Sequence, residues 1–478
     1  MAHRGHERLA RDSEELGIEK NVANELRQRY AMCGLDFQTA LRHPSKSLSS
    51  ALFLFFATLF STIALGAHIQ QETQNRIGLS EYLLSNSLGG AFHALFGVQP
   101  LLILRPTGPI TAIMGKLSLL ADDTGSDFFL LLAATGVCVS AHMFLIAGLR
   151  LSSHAQRFTP FTLDIFACFV CSIYMFDGVH DVWERLETET MAKVGRSLLD
   201  LNLALVTFFV SVRLQGAHQW RCCYPRVREF LCDYAVTIAV VSSTLCSYTI
   251  EIAADVVLRI ELPARLGPSC ELYDAASVGA AEIGRSCIAP VSGDADAAPM
   301  VREAHTPRPW LVDLGALVTA GPALWLSALA ASVPIAFFFF FDQNISTLFC
   351  QRAPGGLERG KYQHSAFVAL GVLNLLGPLM GCPFVTGSLP HSPQFVRALT
   401  VPSSRTRSGV EVAESRVAPL LVYLLIGMPL LAPQLILAIP GVSSAWDRTP
   451  GSRRAPQLIE CPEPAVDTET CPVLVPRC

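Results

Sequence analysis

Long uncharged stretches alternate with short polar ones along most of this sequence. Residues 47–67, 128–149 and 314–341 contain no Lys, Arg, Asp or Glu. Each stretch is long enough to cross a bilayer as a helix, which takes about 20 apolar residues. The pattern predicts an all-α membrane protein with many spans. Further apolar candidates lie near residues 79–96, 159–176, 197–212, 231–250, 365–380 and 418–440.

Two other apolar segments, residues 97–109 and 381–393, are interrupted by Gly, Pro and hydroxyl residues. Lipid cannot hydrogen-bond an opened backbone, so such breaks persist only where protein or a water-filled cavity surrounds them. A pair of broken segments, one in each half of a chain, is typical of the binding site of a transporter. The alternative is a pair of continuous helices that are merely kinked at proline.

Each break predicts a half-helix that begins near the middle of the membrane. The first begins at Thr107 and runs to about Leu120, because Thr is a good N-cap and Pro109 suits the first turn. The second has Pro390 in its first turn and runs to about Leu399. Two positive helix ends facing each other suit an anion. The candidate anion-binding residues are Gln99, Arg105, Thr107, Gly108, Thr386, Gly387, Ser388 and His391.

Charged residues near these breaks are candidates for coupling to a cation or a proton. Asp342 follows the apolar run 337–341, and Ser346 lies one helical turn later on the same face. An ionisable group inside a span is costly and points to function, whereas an Asp at the membrane surface would simply be solvated. Asp164 is a second acidic candidate, because it lies in an apolar stretch where its side chain could be buried. His391 could assist anion binding or be a neutral packing residue.

Composition changes the picture only by exclusion. Charged residues make up 16% of the chain, against about 25% in soluble proteins. The net charge of -4 gives no reason to expect nucleic acid. The 15 Cys are scattered without metal-ligand spacing, and no nucleophile–base pair or phosphate loop stands out. We therefore expect no enzyme activity, no cofactor and no metal.

The distribution of Lys and Arg suggests the orientation. Arg42 and Lys46 precede the first span, which predicts a cytosolic N-terminus because cytosolic loops are rich in positive charge. The predicted organisation is a cytosolic N-terminal segment (1–46), a first transmembrane repeat (47–250), an extracytosolic loop (251–313), a partial second repeat (314–440) and a polar tail (441–478).

Several motifs resemble the bicarbonate and anion-exchanger family, which also contains the borate exporters of plants and fungi. The sequence Gln99-Pro100-Leu101 followed by Thr107-Gly108-Pro109 is similar to a signature of that family, and residues 341–346 resemble a run in its sodium-coupled members. Residues 158–166 resemble the start of its fifth span, and residues 381–393 look closest to the borate exporters. The resemblance covers about residues 45–440.

This resemblance implies a fold of seven plus seven inverted repeats, with a core domain, a gate domain and an anion site where the third and tenth spans meet. It implies a homodimer, and it implies that Asp342 and Ser346 correspond to residues that bind Na+ or a proton. Two departures leave the substrate open: a His at position 391 and an Arg at position 105. The family continues with three more spans after residue 440, which this chain is expected to lack.

The sequence therefore predicts a secondary transporter of small inorganic anions, with bicarbonate-type exchange, in the plasma membrane. Borate efflux is the alternative substrate assignment. A truncated, non-transporting subunit and a channel are the alternatives from other functional classes. The expected partners are a small inorganic anion, Na+ or H+, and membrane lipid.

Overall fold

The structure of the protein is a computed structural model that describes residues 22–431. Gaps fall within 158–190, at 222–223, within 250–308, within 352–361, at 390 and at 404–408. All described residues belong to one compact unit that ends at Ser444, and the second unit, Ala445–Cys478, lies outside them. The polar tail and nearly all of the predicted extracytosolic loop therefore lie outside the described residues, as does Pro390.

Helices make up most of the first half of the chain. They are α1 (Val22–Ala31), α2 (Cys33–Arg42), α3 (Pro44–Glu72), α4 (Leu79–Leu84), α5 (Gly90–Phe96), α6 (Gly108–Thr124), α7 (Phe128–Gly148), α8 (Met191–Gln215), α9 (Pro225–Asp233) and α10 (Ala235–Thr249). A π-helical segment, Ser85–Gly89, joins α4 to α5, so Leu79–Phe96 is one helical element with a local irregularity. Short 3-10 turns follow α7 and α8, at Leu151–Arg157 and Ala217–Gln219.

The second half repeats this pattern of apolar helices. Its helices are α11 (Leu314–Thr319), α12 (Pro322–Gln351), α13 (His364–Leu379), α14 (His391–Ala398) and α15 (Val417–Leu431). Four short strands accompany them: β1 (Leu104–Arg105), β2 (Thr386–Gly387), β3 (Thr400–Pro402) and β4 (Val410–Val412). β1 pairs antiparallel with β2, and β3 pairs antiparallel with β4. The core lies where α7 packs against α12 and α13, and where α3 packs against α15 and α6.

Within the described ranges, three helices are long and apolar enough to cross a membrane: α3 over Pro44–Gln70, α7 and α12. The pair α9 and α10, bent by 72°, would add a fourth if it forms one span. Other predicted spans fall on shorter apolar helices, among them α13 and α15. The expectation of several apolar helices is confirmed, whereas the predicted span 159–176 falls largely outside the described residues.

The predicted span 314–341 is wrong in its bounds. Asp313 caps α11 by accepting hydrogen bonds from the backbone of Gly315 and Ala316, at 2.8 and 3.3 Å. The helix stops at Thr319, and α12 then begins at Pro322 and continues to Gln351. Asp342 therefore lies inside a 30-residue helix, more than two turns before its end.

The N-terminal segment is also more tightly attached than its polar sequence suggested. Asp36 in α2 is fully buried and accepts hydrogen bonds from three arginines. Glu25 in α1 accepts from the backbone and side chain of Ser365 at the start of α13, at 2.9 and 2.6 Å. Because these contacts connect α1 and α2 to Arg359, Ser365 and Arg416 in the second half of the chain, the two helices are part of the packed fold.

Candidate anion-binding site

The two broken segments meet through their short strands. In the register of the pair, Leu104 lies opposite Gly387 and Arg105 opposite Thr386. The N–H of Ser388 donates to the carbonyl of Ile103 at 2.7 Å, which extends the pairing by one step. Extended backbone inside a membrane protein needs such internal partners. The alternative of two continuous, proline-kinked helices is therefore wrong.

A half-helix follows each strand. α6 begins at Gly108, with Thr107 in the N-cap position at φ -119° and ψ 168°, and Pro109 in its first turn. The first half-helix extends to Thr124, one turn beyond its predicted end, and α14 runs from His391 to Ala398 as expected. The backbone of Thr107 has the extended conformation of an N-cap residue, but its side-chain hydroxyl makes no capping hydrogen bond. That hydroxyl is left available for another group.

Two polar side chains of α12 hold β2 in place. The N–H of Gly387 donates to Gln343 Oε1 at 3.1 Å, and Ser346 Oγ donates to the carbonyl of Gly387 at 2.9 Å. A Cβ at position 387 would lie 3.0 Å from both Gln343 Oε1 and Ser346 Cβ. Gly387 therefore suits the close approach of α12 to this strand, because a Cβ would require these atoms to shift.

The segment before β2 is held by α13. Asn374 Nδ2 donates to the carbonyl of Val385 at 2.9 Å, and Asn374 Oδ1 accepts from the N–H of Val385 at 2.8 Å. One amide side chain thus satisfies both backbone groups of a buried residue, as a neighbouring strand would do. Together with Gln343 and Ser346, it fixes the backbone of the second break.

A chain of polar groups links Arg105 to the second half-helix. Arg105 is 1% exposed. Its Nη1 donates to Ser61 Oγ in α3 at 2.5 Å and lies 3.3 Å from His391 Nε2. The same Nε2 lies 3.4 Å from the carbonyl of Ala57 in α3, so it faces both a donor, Arg105, and an acceptor. Nδ1 lies 2.7 Å from Ser388 Oγ, so the imidazole of His391 bridges Arg105 and Ser388.

Asp342 lies behind the strand pair and is 4% exposed. Its side chain faces Thr386, the residue opposite Arg105 in the strand pair. Removing a carboxylate from water is costly unless a partner compensates. The buried position therefore favours a functional carboxylate over a solvated one at the membrane surface.

Several buried polar atoms around the breaks have no hydrogen-bond partner within the described part of the chain. Such atoms are rare in native proteins, and each calls for an explanation such as a bound ion or water. Some of these atoms are hydrogen-bond donors, which suit an anion, and one is a carboxylate oxygen, which suits a cation or a proton. The atoms are Gln99 Nε2, Thr107 Oγ1, Thr386 Oγ1, Gln343 Nε2 and Asp342 Oδ2.

The structure thus brings together most of the residues singled out from the sequence. Arg105, Thr107 and Gly108 follow one another through β1 into α6, and Thr386, Gly387 and Ser388 form β2 and its continuation. Asp164 is not among them, because it is exposed rather than buried. Within the described residues, no group of three or more His, Cys, Asp or Glu side chains is placed to hold a metal ion.

Sequence reasoning missed the side chains that hold the breaks in place. Gln343 and Asn374 are polar residues within apolar spans, so their positions alone were a signal. Tyr423 Oη bonds to the backbone of Leu104 in β1, and Ser61 bonds to Arg105. Serine and tyrosine are common in membrane helices, so the presence of Ser61 or Tyr423 in an apolar segment does not indicate a contact with the breaks.

A family model described as the HCO3- transporter integral membrane domain matches residues 18–197 and 297–442, which is more than half of the chain. The chain belongs to the HCO3- transporter family. The resemblance noted in the sequence is thereby confirmed.

Relatives of this HCO3- transporter family member include both animal and plant proteins. Solute carrier family 4 member 11 of Mus musculus is 25% identical, over 86% of this chain and 50% of its own length. Probable boron transporter 3 of Arabidopsis thaliana is 24% identical, over 84% of this chain and 51% of its own length. Anion exchange protein 3 of Oryctolagus cuniculus is 22% identical, over 88% and 34%. The chain spans about half the length, or less, of these relatives.

Among solved structures, the transmembrane domain of the cyanobacterial bicarbonate transporter BicA is similar, with 14% identity and a TM-score of 0.47. The match covers 84% of this chain and 86% of that one. The assignment of the chain to a family of integral membrane anion transporters rests on the family match and not on this structural likeness.

Proposed function

We propose that this chain is a secondary transporter that exchanges bicarbonate or a similar small inorganic anion across a membrane. The observation that carries the proposal is the pair of half-helices α6 and α14, joined through β1 and β2, with buried donor groups that lack partners among the described residues. Helix N-termini and hydroxyl donors bind anions without needing a full charge for each contact. Arg105 adds a fixed positive charge beside them.

The anion is proposed to bind between the start of α6 and the start of α14. Thr107 Oγ1 and Thr386 Oγ1 are the donors available to it, and Gln99 Nε2 is a third. His391 bridges Arg105 and Ser388 and is proposed to orient the Ser388 hydroxyl. The shared layout of the two breaks supports an inverted repeat, in which one half rocks against the other to expose the site alternately.

Asp342 is proposed to hold the coupling cation or proton. Its Oδ2 has no partner within the described ranges, and Ser346 Oγ lies one turn away with its lone pairs free to accept after donating to Gly387. Hard cations such as Na+ prefer oxygen ligands of this kind. Asp164 is a weaker candidate, because its exposed position offers it no enclosed site.

Borate efflux is the second candidate. The observation that favours it is that Arabidopsis relatives named as boron transporters match this chain at about the same identity as the solute carrier family 4 proteins. We further propose a homodimer in the plasma membrane with a cytosolic N-terminus, in line with Arg42 before α3 and Lys46 in its first turn.

The test is flux into vesicles that contain the purified full chain. We expect uptake of labelled bicarbonate above that of empty vesicles, with borate uptake measured in parallel. Thr107→Val removes one unpartnered hydroxyl at nearly constant volume. Because a hydrogen bond to a charged group contributes about 1.5–3 kcal/mol, the apparent anion affinity should fall roughly 10- to 100-fold.

Thr135→Val is the matched control, since Thr135 in α7 also has a buried hydroxyl without a hydrogen-bond partner among the described residues, and it lies outside the breaks. Equal affinities in the two variants would contradict the proposed site. Borate uptake without bicarbonate uptake would establish the second candidate. An absence of both fluxes would favour a non-transporting subunit, and conductance far above carrier turnover would indicate a channel.

A further inference from the structure

The side chain of Tyr423 completes the open edge of strand β1. Its Oη accepts from the N–H of Leu104 at 3.0 Å and donates to the carbonyl of the same residue at 3.2 Å. We infer that Tyr423 is a positioning residue for the anion site: it braces the first broken segment from α15 and so fixes the residues that follow Leu104. This inference rests on the proposed function.

The direction of the strand hydrogen bonds explains why a brace is needed. The carbonyl of Ile103 points toward the second break, where it accepts from Ser388. Since successive residues of a strand point their backbone groups to opposite edges, the N–H and carbonyl of Leu104 point away from β2. An unpaired backbone group buried in a membrane protein is costly. The phenol hydroxyl, as both donor and acceptor, satisfies the two groups together.

Gly90 provides the room for this side chain. A Cβ at position 90 would lie 1.9 Å from Tyr423 Cε1, and real Cβ atoms essentially never approach so closely. Gly90 begins α5 directly after the π-helical segment Ser85–Gly89. π-helical turns are frequent at functional sites. The brace thus depends on two helices, one that carries the tyrosine and one that leaves space for it.

The brace acts on the site through a short and stiff piece of chain. Arg105 directly follows Leu104, and Thr107 comes two residues later, with Pro106 between them. Pro fixes its own φ and restricts the residue before it, so little slack separates Leu104 from the start of α6. A displacement at Leu104 therefore moves the Arg105 guanidinium and the Thr107 hydroxyl relative to β2.

The test compares Tyr423→Phe and Gly90→Ala with Tyr30→Phe, in the full chain. Tyr423→Phe keeps the ring and removes only the hydroxyl. Tyr30→Phe removes a hydroxyl that donates to the carbonyl of Phe96 at 2.5 Å, outside the site. At equal amounts of protein in the vesicles, we expect the apparent KM for bicarbonate to rise at least five-fold in the first two variants and to stay unchanged in the third. A role in folding alone would lower the maximal rate and leave KM as it is, which would overturn the inference.

Backbone amide exchange provides a readout that does not depend on transport. In deuterated buffer, the peptide that contains Leu104 should exchange faster in Tyr423→Phe and Gly90→Ala than in the parent chain, with peptides of α7 unchanged. If the parent chain carries neither bicarbonate nor borate, the proposed function fails and faster exchange would still support the brace. Unchanged exchange at Leu104 in Tyr423→Phe would refute the brace whatever the flux.

Discussion

Asp36 offers the strongest test of how the N-terminal helices are attached. Its Oδ2 accepts from Arg29 Nη2 and from Arg416 Nε, both at 2.8 Å, and its Oδ1 accepts from Arg359 Nη1. Arg29 comes from α1, Arg416 directly precedes α15, and Arg359 lies in the connection before α13. Asp36→Ala therefore removes one acceptor from three buried guanidinium groups at once.

The size of the effect follows from burial. Asp36, Arg29 and Arg416 are at most 1% exposed, so water cannot replace the lost carboxylate. Breaking a buried ion pair by removing one partner costs about 3–5 kcal/mol. Because Asp36 is the shared acceptor of three guanidinium groups, its removal takes a partner from all three at once. We therefore expect Asp36→Ala to cost about 5 kcal/mol, at the top of that range.

The assay is thermal unfolding of the purified protein in detergent, followed by the loss of its monodisperse peak. One kcal/mol lowers Tm by roughly 2 °C in a large domain, so Asp36→Ala should lower Tm by about 10 °C. Asp36→Asn keeps the shape and one acceptor oxygen, and should lie between the parent and Asp36→Ala.

Asp233→Ala is the control. Asp233 pairs with Lys46 at 2.7 Å, with 21% and 24% of the two side chains exposed, and such partly exposed pairs contribute about 0–1 kcal/mol. If Asp36→Ala lowered Tm no more than Asp233→Ala does, the reasoning from burial would be refuted.

Three further predictions concern the breaks. Gly387→Ala should reduce anion flux at least ten-fold at equal protein in vesicles, because its Cβ would lie 3.0 Å from atoms of α12. The control Gly148→Ala, with nothing within 4 Å of its Cβ, should leave flux unchanged, and equal flux in the two variants would contradict the close packing. Asp342→Asn should abolish the dependence of flux on Na+ or on pH while anion binding persists, and retained coupling, measured with and without each gradient, would exclude Asp342 as the coupling residue. Asn374→Leu leaves both backbone groups of Val385 without partners and should cost about 2–4 kcal/mol, seen as a lower Tm; an unchanged Tm would show that other groups replace the amide.

The local parts of the site could be predicted from the sequence. Thr107 and Pro109 predict the start of α6 correctly, because capping and first-turn preferences depend only on neighbouring residues. The position of Asp342 next to an apolar run likewise pointed to a buried carboxylate. The end of the span 314–341 was placed wrongly because Gln343, Asn344 and Ser346 resemble the polar end of a helix. All three are buried, and Gln343 and Ser346 bond to β2.

The long-range parts could not be predicted. Strands β1 and β2 have two residues each, which is too short to show the alternation of polar and apolar residues that predicts a strand. The sequence therefore does not indicate that they pair. Asp36 lies in a mixed polar stretch, and its partners Arg359 and Arg416 are more than 300 residues away along the chain. Asp164 shows the opposite error, since an acid in an apolar stretch was allowed a buried position but is exposed.

The contact between the two broken segments also affects how the protein folds during synthesis. Ile103 donates its N–H to Ser392 Oγ, and the two residues are 289 positions apart. At a synthesis rate of 5–20 residues per second, the second strand leaves the ribosome about 15–60 s after the first. During that interval the nascent first break sits in or beside the translocon without its final partner. Newly made copies that stall before residue 392 should therefore be preferred substrates for membrane quality control.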